Sequence, residues 1–144
     1  MSPSPTPPAS LLQSTTYRLS AAGRASRASA VAALAREELR LDHVAALAVL
    51  TEGEPPSQRS LGDRLAKDPG DVVRLVDELE RRGWATRSRD PADRRRSLVG
   101  PTADGEDVLR RAMALLAADE DEVLAPLTAK ERRTLHALLE RLDP

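Results

Sequence analysis

The chain has 144 residues, one domain's worth, and no cysteine, which excludes disulfides, thiolate metal sites and thiol redox sensing. Its 22 basic and 23 acidic side chains leave a net charge of −1, so there is no global attraction to polyanions. No apolar run approaches the roughly 20 residues that a membrane span needs, and the expectation is a cytosolic protein.

The distribution of charge says more than its sum. Residues 1–56 carry 5 basic and 5 acidic groups (net 0), residues 57–101 carry 11 and 8 (net +3), and residues 102–144 carry 6 and 10 (net −4). Only the middle third favours a polyanion. Tyr17 and Trp84 are the only aromatics, so the core must be built from Leu, Val and Ala, a composition that suits packed helices.

Met1 to Ser10 is rich in Pro and Ser, lacks the regions of a signal peptide, and reads as a disordered leader. From Leu11 to Leu39 helix formers dominate with only Gly23 interrupting, which predicts one long helix or two abutting ones. Asp42 is placed to cap a helix carrying Val44, Leu47 and Leu50 on one face. Gly53 to Ser57 is a connector, and Ser57 caps a short helix with Leu61 and Leu65.

Asp68-Pro69-Gly70 reads as a tight turn, with Asp71 opening and N-capping the next helix, Val72 to Arg82. There Val72, Leu75, Val76 and Leu79 fall at i, i+3, i+4 and i+7, a buried stripe, leaving Val73, Arg74, Asp77, Glu78 and Arg81 outside. Gly83 ends that helix as a C′ residue. Trp84 to Arg87 and Ser97 to Val99 pair as a hairpin across an Asp-Pro turn, with Arg87, Arg89, Arg94, Arg95 and Arg96 about its tip.

Thr102 caps a helix through Leu116, Pro126 stops it, and Thr128 to Glu131 is a capping box for a last helix with Leu135, Leu138, Leu139 and Leu142. The glycines fall at turns and helix ends, and no repeat is visible.

Two helices around a short turn, followed by a hairpin, spell a winged helix-turn-helix. The fold class is mainly α: a winged helix-turn-helix core with a two-stranded wing over residues 42–101. Helices over 11–41 and 102–144 flank it as a dimerisation region. Their apolar stripes exceed what the small core covers, so a two-fold homodimer is expected, and two recognition helices then match a palindromic site on double-stranded DNA.

The chain resembles the MarR family of bacterial transcriptional regulators from about Tyr17 to Leu142. The resemblance rests on Leu-Gly-Asp-Arg-Leu-Ala from Leu61, Val-Val-Arg-Leu-Val-Asp-Glu-Leu-Glu-Arg-Arg-Gly-Trp from Val72, the Asp-Pro-x-Asp-Arg-Arg wing at Asp90 to Arg95, and Thr-x-x-Gly at Thr102 to Gly105. It implies an obligate homodimer, usually a repressor relieved by a small molecule. Val72 to Arg82 would be the recognition helix in the major groove, with Arg94, Arg95 and Arg96 in the adjacent minor groove. Asp90 or Asp93 would hold the base of a wing arginine.

Where many relatives place Ser and Thr at the start of the recognition helix, this chain has Gly70, Asp71 and Val73. Val73 suits a thymine methyl, and Arg74 is the only cation on the early exposed face, its alternative being an ion pair with Asp77 or Glu78. Affinity thereby shifts toward the wing. Arg59 and Arg64, from the first helix of the motif, are candidates for backbone contact.

Tyr17 lies near where the family's ligand cleft opens; packing in the core or interface is the favoured reading, with ligand contact as the alternative. An effector cleft here would be lined by aliphatic side chains, if there is one at all. Trp84 is assigned to packing, and His43 and His136, far apart and without cysteine, do not suggest zinc. No cofactor is expected. No nucleophile with a base, no carboxylate pair and no phosphate-cradling glycine loop suggests an enzyme. The rival function is a winged helix that binds a basic protein through Asp71, Asp77, Glu78 and Glu80.

Overall fold

A computed structural model of the chain describes residues 7–142. In chain order the elements are α1 (Ala9–Leu12), α2 (Thr15–Ala35), α3 (Leu41–Thr51), α4 (Gln58–Leu65), α5 (Pro69–Arg81), β1 (Ala85–Arg89), β2 (Ser97–Pro101), α6 (Ala103–Val123) and α7 (Ala129–Glu140). This is the winged helix-turn-helix with flanking helices that the periodicity implied. β1 and β2 pair antiparallel, with Arg87 opposite Val99 and Ser88 opposite Leu98.

The core lies at one end of the molecule. Leu34 from α2, Leu47 and Leu50 from α3, Leu61 from α4, the α5 stripe Val72, Leu75, Val76 and Leu79, and Val99 from the wing are all buried. From α6 only Gly105, Val108 and Ala112 are buried, all in its first half, and α7 buries no residue at all. The molecule is therefore a closed winged-helix body with a helical extension whose apolar side chains stay in water.

Several boundaries differ from the sequence expectation. Most of the expected leader, residues 1–6, lies outside the described residues, while Ala9 and Ser10 begin the one-turn α1. The break between the first helices falls at Ser14, whose hydroxyl accepts from Tyr17 N–H, and α2 runs through Gly23 without interruption. The N-cap of α3 is Arg40, whose backbone N–H donates to His43 Nδ1 at 3.2 Å; Asp42 lies in the first turn and pairs with Lys67 Nζ at 3.0 Å.

The start of α5 also moves. Asp68 is its N-cap, Pro69 takes N1, and Gly70 and Asp71 are already helical. The connection from α4 is Ala66 to Asp68, with Ala66 left-handed at φ 49°. The connector before α4 does more than link. Val99 N–H donates to Pro56 O at 2.9 Å and Ser57 bridges Leu98, so the wing's second strand is held from both sides.

Two glycines expected at turns lie inside helices, where neighbours leave no space for a side chain. A Cβ at Gly62 would stand 2.9 Å from Val72 Cγ2, which sets the close approach of α4 to α5. A Cβ at Gly105 would stand 2.0 Å from the Trp84 carbonyl oxygen, which itself accepts from Thr102 N–H at 3.0 Å. The Thr-x-x-Gly segment thus presses the start of α6 onto Trp84, in the segment that links α5 to β1. Thr102 Oγ1 donates to Gly83 O at 2.6 Å and accepts from Gly105 N–H at 3.0 Å.

Gly105→Ala is accordingly expected to destabilise by about 1–3 kcal/mol through overpacking against backbone that cannot yield. For a chain of this length that lowers the melting temperature by roughly 3–10 °C. Gly23→Ala, where nothing lies within 4 Å of the new Cβ, is the control that should not destabilise. A thermal melt by circular dichroism reads both.

Candidate nucleic-acid interface

The second helix of the motif is fixed in place by one carboxylate. Glu78, expected on the outer face of α5, turns toward the body, and its side chain is only 16% exposed. Arg40 grips it with both guanidinium nitrogens, at 2.6 and 3.1 Å. Arg82 Nη2 approaches at 3.5 Å, and His43 Nε2, fully buried, lies 3.1 Å from Oε1. Because His43 Nδ1 accepts from the Arg40 backbone, its proton belongs on Nε2, facing Glu78 but off the hydrogen-bond axis. Trp84 closes the cluster, edge-on to His43 at 5.6 Å and under the Arg82 guanidinium at 4.8 Å. Its expected packing role is what the geometry displays.

Arg40 and the neighbouring His43 hold the Glu78 carboxyl down to about 2, from an ordinary 4.5. Burial, with Arg40 beside it, pushes the His43 imidazole below its usual 6.5. Sequence periodicity could not find this cluster: Glu78 sits at the margin of the α5 stripe, and His43 reads as one polar residue in an apolar helix.

With its inner side anchored, α5 turns Gly70, Asp71, Val73, Arg74, Asp77 and Arg81 to solvent. Asp71 does not cap the helix but pairs with Arg74 three residues on. An ion pair is the alternative reading for Arg74, and its partner is Asp71 rather than Asp77 or Glu78. Val73 is 39% exposed and its side chain points outward.

The arginines of the hairpin divide into two groups. Arg87 is internal: its guanidinium pairs with Asp77 at 2.7 Å and with Glu80, and Nε donates to Gln58 Oε1 at 3.1 Å. It belongs to the joint between wing, α4 and α5 rather than to the tip. Arg96 keeps a loose contact with Asp90 at 3.9 Å. Arg89, Arg94 and Arg95 are exposed and form no ion pair among the described residues.

Both wing aspartates hold backbone. Asp90 Oδ1 accepts from Ala92 N–H at 2.8 Å, and Asp93 Oδ1 from Arg95 N–H at 3.0 Å. These two Asx turns shape residues 90–96 into a tight loop that thrusts Arg94 and Arg95 outward.

Between the wing and the start of α4 runs a groove of about 600 Å³ lined by Ser57, Gln58, Arg59, Arg95, Arg96 and Ser97. Arg59 faces it unpaired among the described residues, whereas Arg64 is engaged at the surface by Glu52 and the Val49 carbonyl. The structure thus brings together Arg59, Arg95 and Arg96 in one groove, and removes Arg64 and Arg87 from that set.

A second groove, of about 350 Å³, opens between α2, α6 and α7 and is lined by Ala30, Leu116, Val123, Leu135, His136 and Leu139 among others. Tyr17 is half-buried on α2 and does not line it. Among the described residues no three His, Asp or Glu side chains gather as a metal site, and no helix is long and apolar enough to cross a membrane.

The sequence profile of the MarR family matches residues 38–96. A crystal structure of a probable transcriptional regulator from Pseudomonas aeruginosa is similar over 92% of this chain and 99% of its own, with 32% identity and a TM-score of 0.77. The multiple antibiotic resistance protein MarR of Escherichia coli is 35% identical over 81 residues, 56% of each chain. A crystal structure of a mutant of that protein, complexed with operator DNA, shares the fold at 23% identity, with a TM-score of 0.76 over 90% of this chain and 93% of its own. The chain spans about half the length of the curated relatives it matches.

The Glu78 cluster fixes a pH dependence. Both groups have folded-state values below their ordinary ones, so each contributes stability that is full above its ordinary value and lost as pH falls. His43's share should begin to fade below pH 6.5, and Glu78's between 4.5 and about 2. Urea unfolding from pH 7.5 to 3 should show stability falling along both limbs. In Glu78→Gln the lower limb should flatten; an unchanged acid profile in that variant would show that the carboxylate does not anchor α5.

Proposed function

Since the chain belongs to the MarR family of transcriptional regulators, we propose that it acts as a cytoplasmic homodimeric regulator, a repressor, that binds a palindromic operator in double-stranded DNA. The relatives are regulators of transcription, not enzymes. In this reading α5 enters the major groove, Gly70, Asp71, Val73 and Arg74 face base edges, and Arg94, Arg95 and Arg96 reach the neighbouring minor groove. Arg59, beside the wing groove, takes a backbone phosphate.

The observation that carries this reading is the sorting of the arginines. Arg94 and Arg95 stand exposed on a loop braced by Asp90 and Asp93, with no carboxylate at ion-pair distance among the described residues. A cation that finds no partner among the described residues while acids are plentiful is available to a polyanion. The rival, a surface for a basic protein, loses much of its support. Of the four acids that favoured it, Glu78 and Glu80 are engaged inward and Asp77 holds Arg87.

Homodimerisation is supported by the helical extension. Leu11, Leu19, Val31, Met113, Leu138 and Leu139 are all exposed on the helices that flank the winged body, and Leu142 just past α7 is exposed too. A second copy placed by a two-fold axis would cover them, and residues 11–41 and 102–144 then serve as the dimerisation region around residues 42–101. An effector that releases DNA would sit in an aliphatic-lined cleft such as the α2, α6 and α7 groove.

Arg94→Ala/Arg95→Ala should lose operator binding while sedimentation still reports a species at twice the 15.6 kDa chain mass. At concentrations where residual binding is measurable, the slope of log affinity against log salt should fall by roughly 3.6, at about 0.9 for each of the four arginines lost from the two wings of the dimer. Wild-type affinity in the double variant removes the wing from the interface, and a clean monomer in sedimentation removes the dimer.

A further inference from the structure

The start of the recognition helix is unusual in carrying a carboxylate toward a polyanion, and its geometry gives that carboxylate a task. Asp71 lies in the first turn of α5 and forms an ion pair with Arg74 Nη2. The Arg74 side chain folds back along the helix rather than forward: its Nη1 lies within 3.9 Å of where a Gly70 Cβ would stand. The guanidinium therefore sits over the N-terminal tip of α5. It is 76% exposed, and the missing side chain at Gly70 leaves the space before it open.

Forward along the helix Arg74 has no competing partner, because Glu78 is held by Arg40 and Asp77 by Arg87. Among the described residues Asp71 is thus the only carboxylate that directs it. Residues at the N-terminal turn of a recognition helix are those that reach base edges.

We propose that Asp71 is a positioning and specificity residue that fixes Arg74 to read a G·C pair in each operator half-site. Resting on the DNA-binding reading above, the assignment is as follows. The Arg74 guanidinium donates to O6 and N7 of guanine, the pairing that its planar fork fits. Asp71 holds one edge of the fork, and its remaining acceptor capacity takes the N4 amino group of a neighbouring cytosine. Thymine O4 or guanine O6 at that place would face the carboxylate with a second acceptor and be rejected. The negative charge also weakens attachment to every non-cognate phosphate surface, so Asp71 gives up affinity for discrimination.

The test is selection of bound fragments from a randomised double-stranded DNA library, run in parallel with the wild type, Asp71→Ala, Arg74→Lys and the double variant Asp71→Ala/Arg74→Lys. Competition titrations on the selected site and on its G·C-to-A·T derivative follow. The wild type should enrich a palindrome with one G·C pair in each half-site that it prefers roughly tenfold or more. Asp71→Ala should lose most of that preference while binding random DNA more tightly. Arg74→Lys, which keeps the charge but not the fork, should lose the same preference with an unchanged salt slope. The double variant should be no less selective than either single one, as for residues acting as a unit.

A merely structural Asp71 would leave the selected bases unaltered, and circular dichroism melts check that each variant is folded. If Asp71→Ala keeps the wild-type preference, or gains affinity uniformly without altering it, the carboxylate only repels phosphate and the assignment is overturned. If the wild type itself enriches no sequence, the DNA-binding reading fails, and this one with it.

Discussion

The Glu78 carboxylate is the point on which the rest of the structure depends. A helix can be held against a body by an apolar stripe alone, and Val72, Leu75, Val76 and Leu79 supply one. Such a stripe fixes distance better than rotation, because side chains of similar volume tolerate small turns about the helix axis. Arg40 gripping Glu78 with two nitrogens, while His43 from α3 approaches Oε1, adds directional contacts that a rotated helix could not keep. Three α5 acids hold cations of other elements: Glu78 takes Arg40 from ahead of α3, and Asp77 and Glu80 take Arg87 from the wing. Helix, wing and body are thus set at one mutual angle by ionic contacts along a single helix.

This arrangement explains how a chain of net charge −1 can present a cationic surface. Local availability, not total charge, decides what a polyanion meets. Arg40, Arg64, Arg82 and Arg87 are neutralised at short range by Glu78, Glu52, Asp77 and Glu80. The aspartates of the wing tip bind backbone N–H groups instead, so Arg94 and Arg95 keep their charge exposed. The same residue type therefore does opposite work within one hairpin, Arg87 as an internal brace and Arg94 as a projecting cation.

That division also marks what could be read from the sequence. The α5 stripe, the Gly83 stop, the Ser57, Thr102 and Thr128 caps and the hairpin were all legible, because each follows from local periodicity or from one side chain satisfying a nearby backbone group. Helix starts at Asp42 and Asp71 were misplaced for a shared reason. A short acid near a helix start is an N-cap signal, yet in both cases it sits inside the first turn and pairs with a cation, Lys67 or Arg74. The inward turn of Glu78 and the bracing role of Arg87 depend on partners 38 and 29 residues away, Arg40 and Gln58, and no local pattern encodes them. The Gly105 contact with Trp84 was hidden likewise, since only the fold brings that carbonyl to the helix.

The two ends of the molecule obey different physics, and the difference bears on how they could communicate. The winged body is closed around buried side chains, whereas α7 and the far half of α6 keep Leu138, Leu139 and Val123 in water. Between them run only two continuous elements, α2 and α6, each of 21 residues. At the body, Leu34 near the end of α2 lies in the core just before Arg40, and Val108 and Ala112 of α6 lie in the core just after the Gly105 contact. A change in how the outer helices pack, whether from a second copy or from a molecule in the groove lined by Leu116 and Leu135, can reach the winged body only along these two rods. One delivers it to Arg40 and hence to Glu78 on α5, and the other to Trp84 and hence to the base of the wing. Both routes converge on the Glu78 cluster, since Trp84 packs against His43 and Arg82 there.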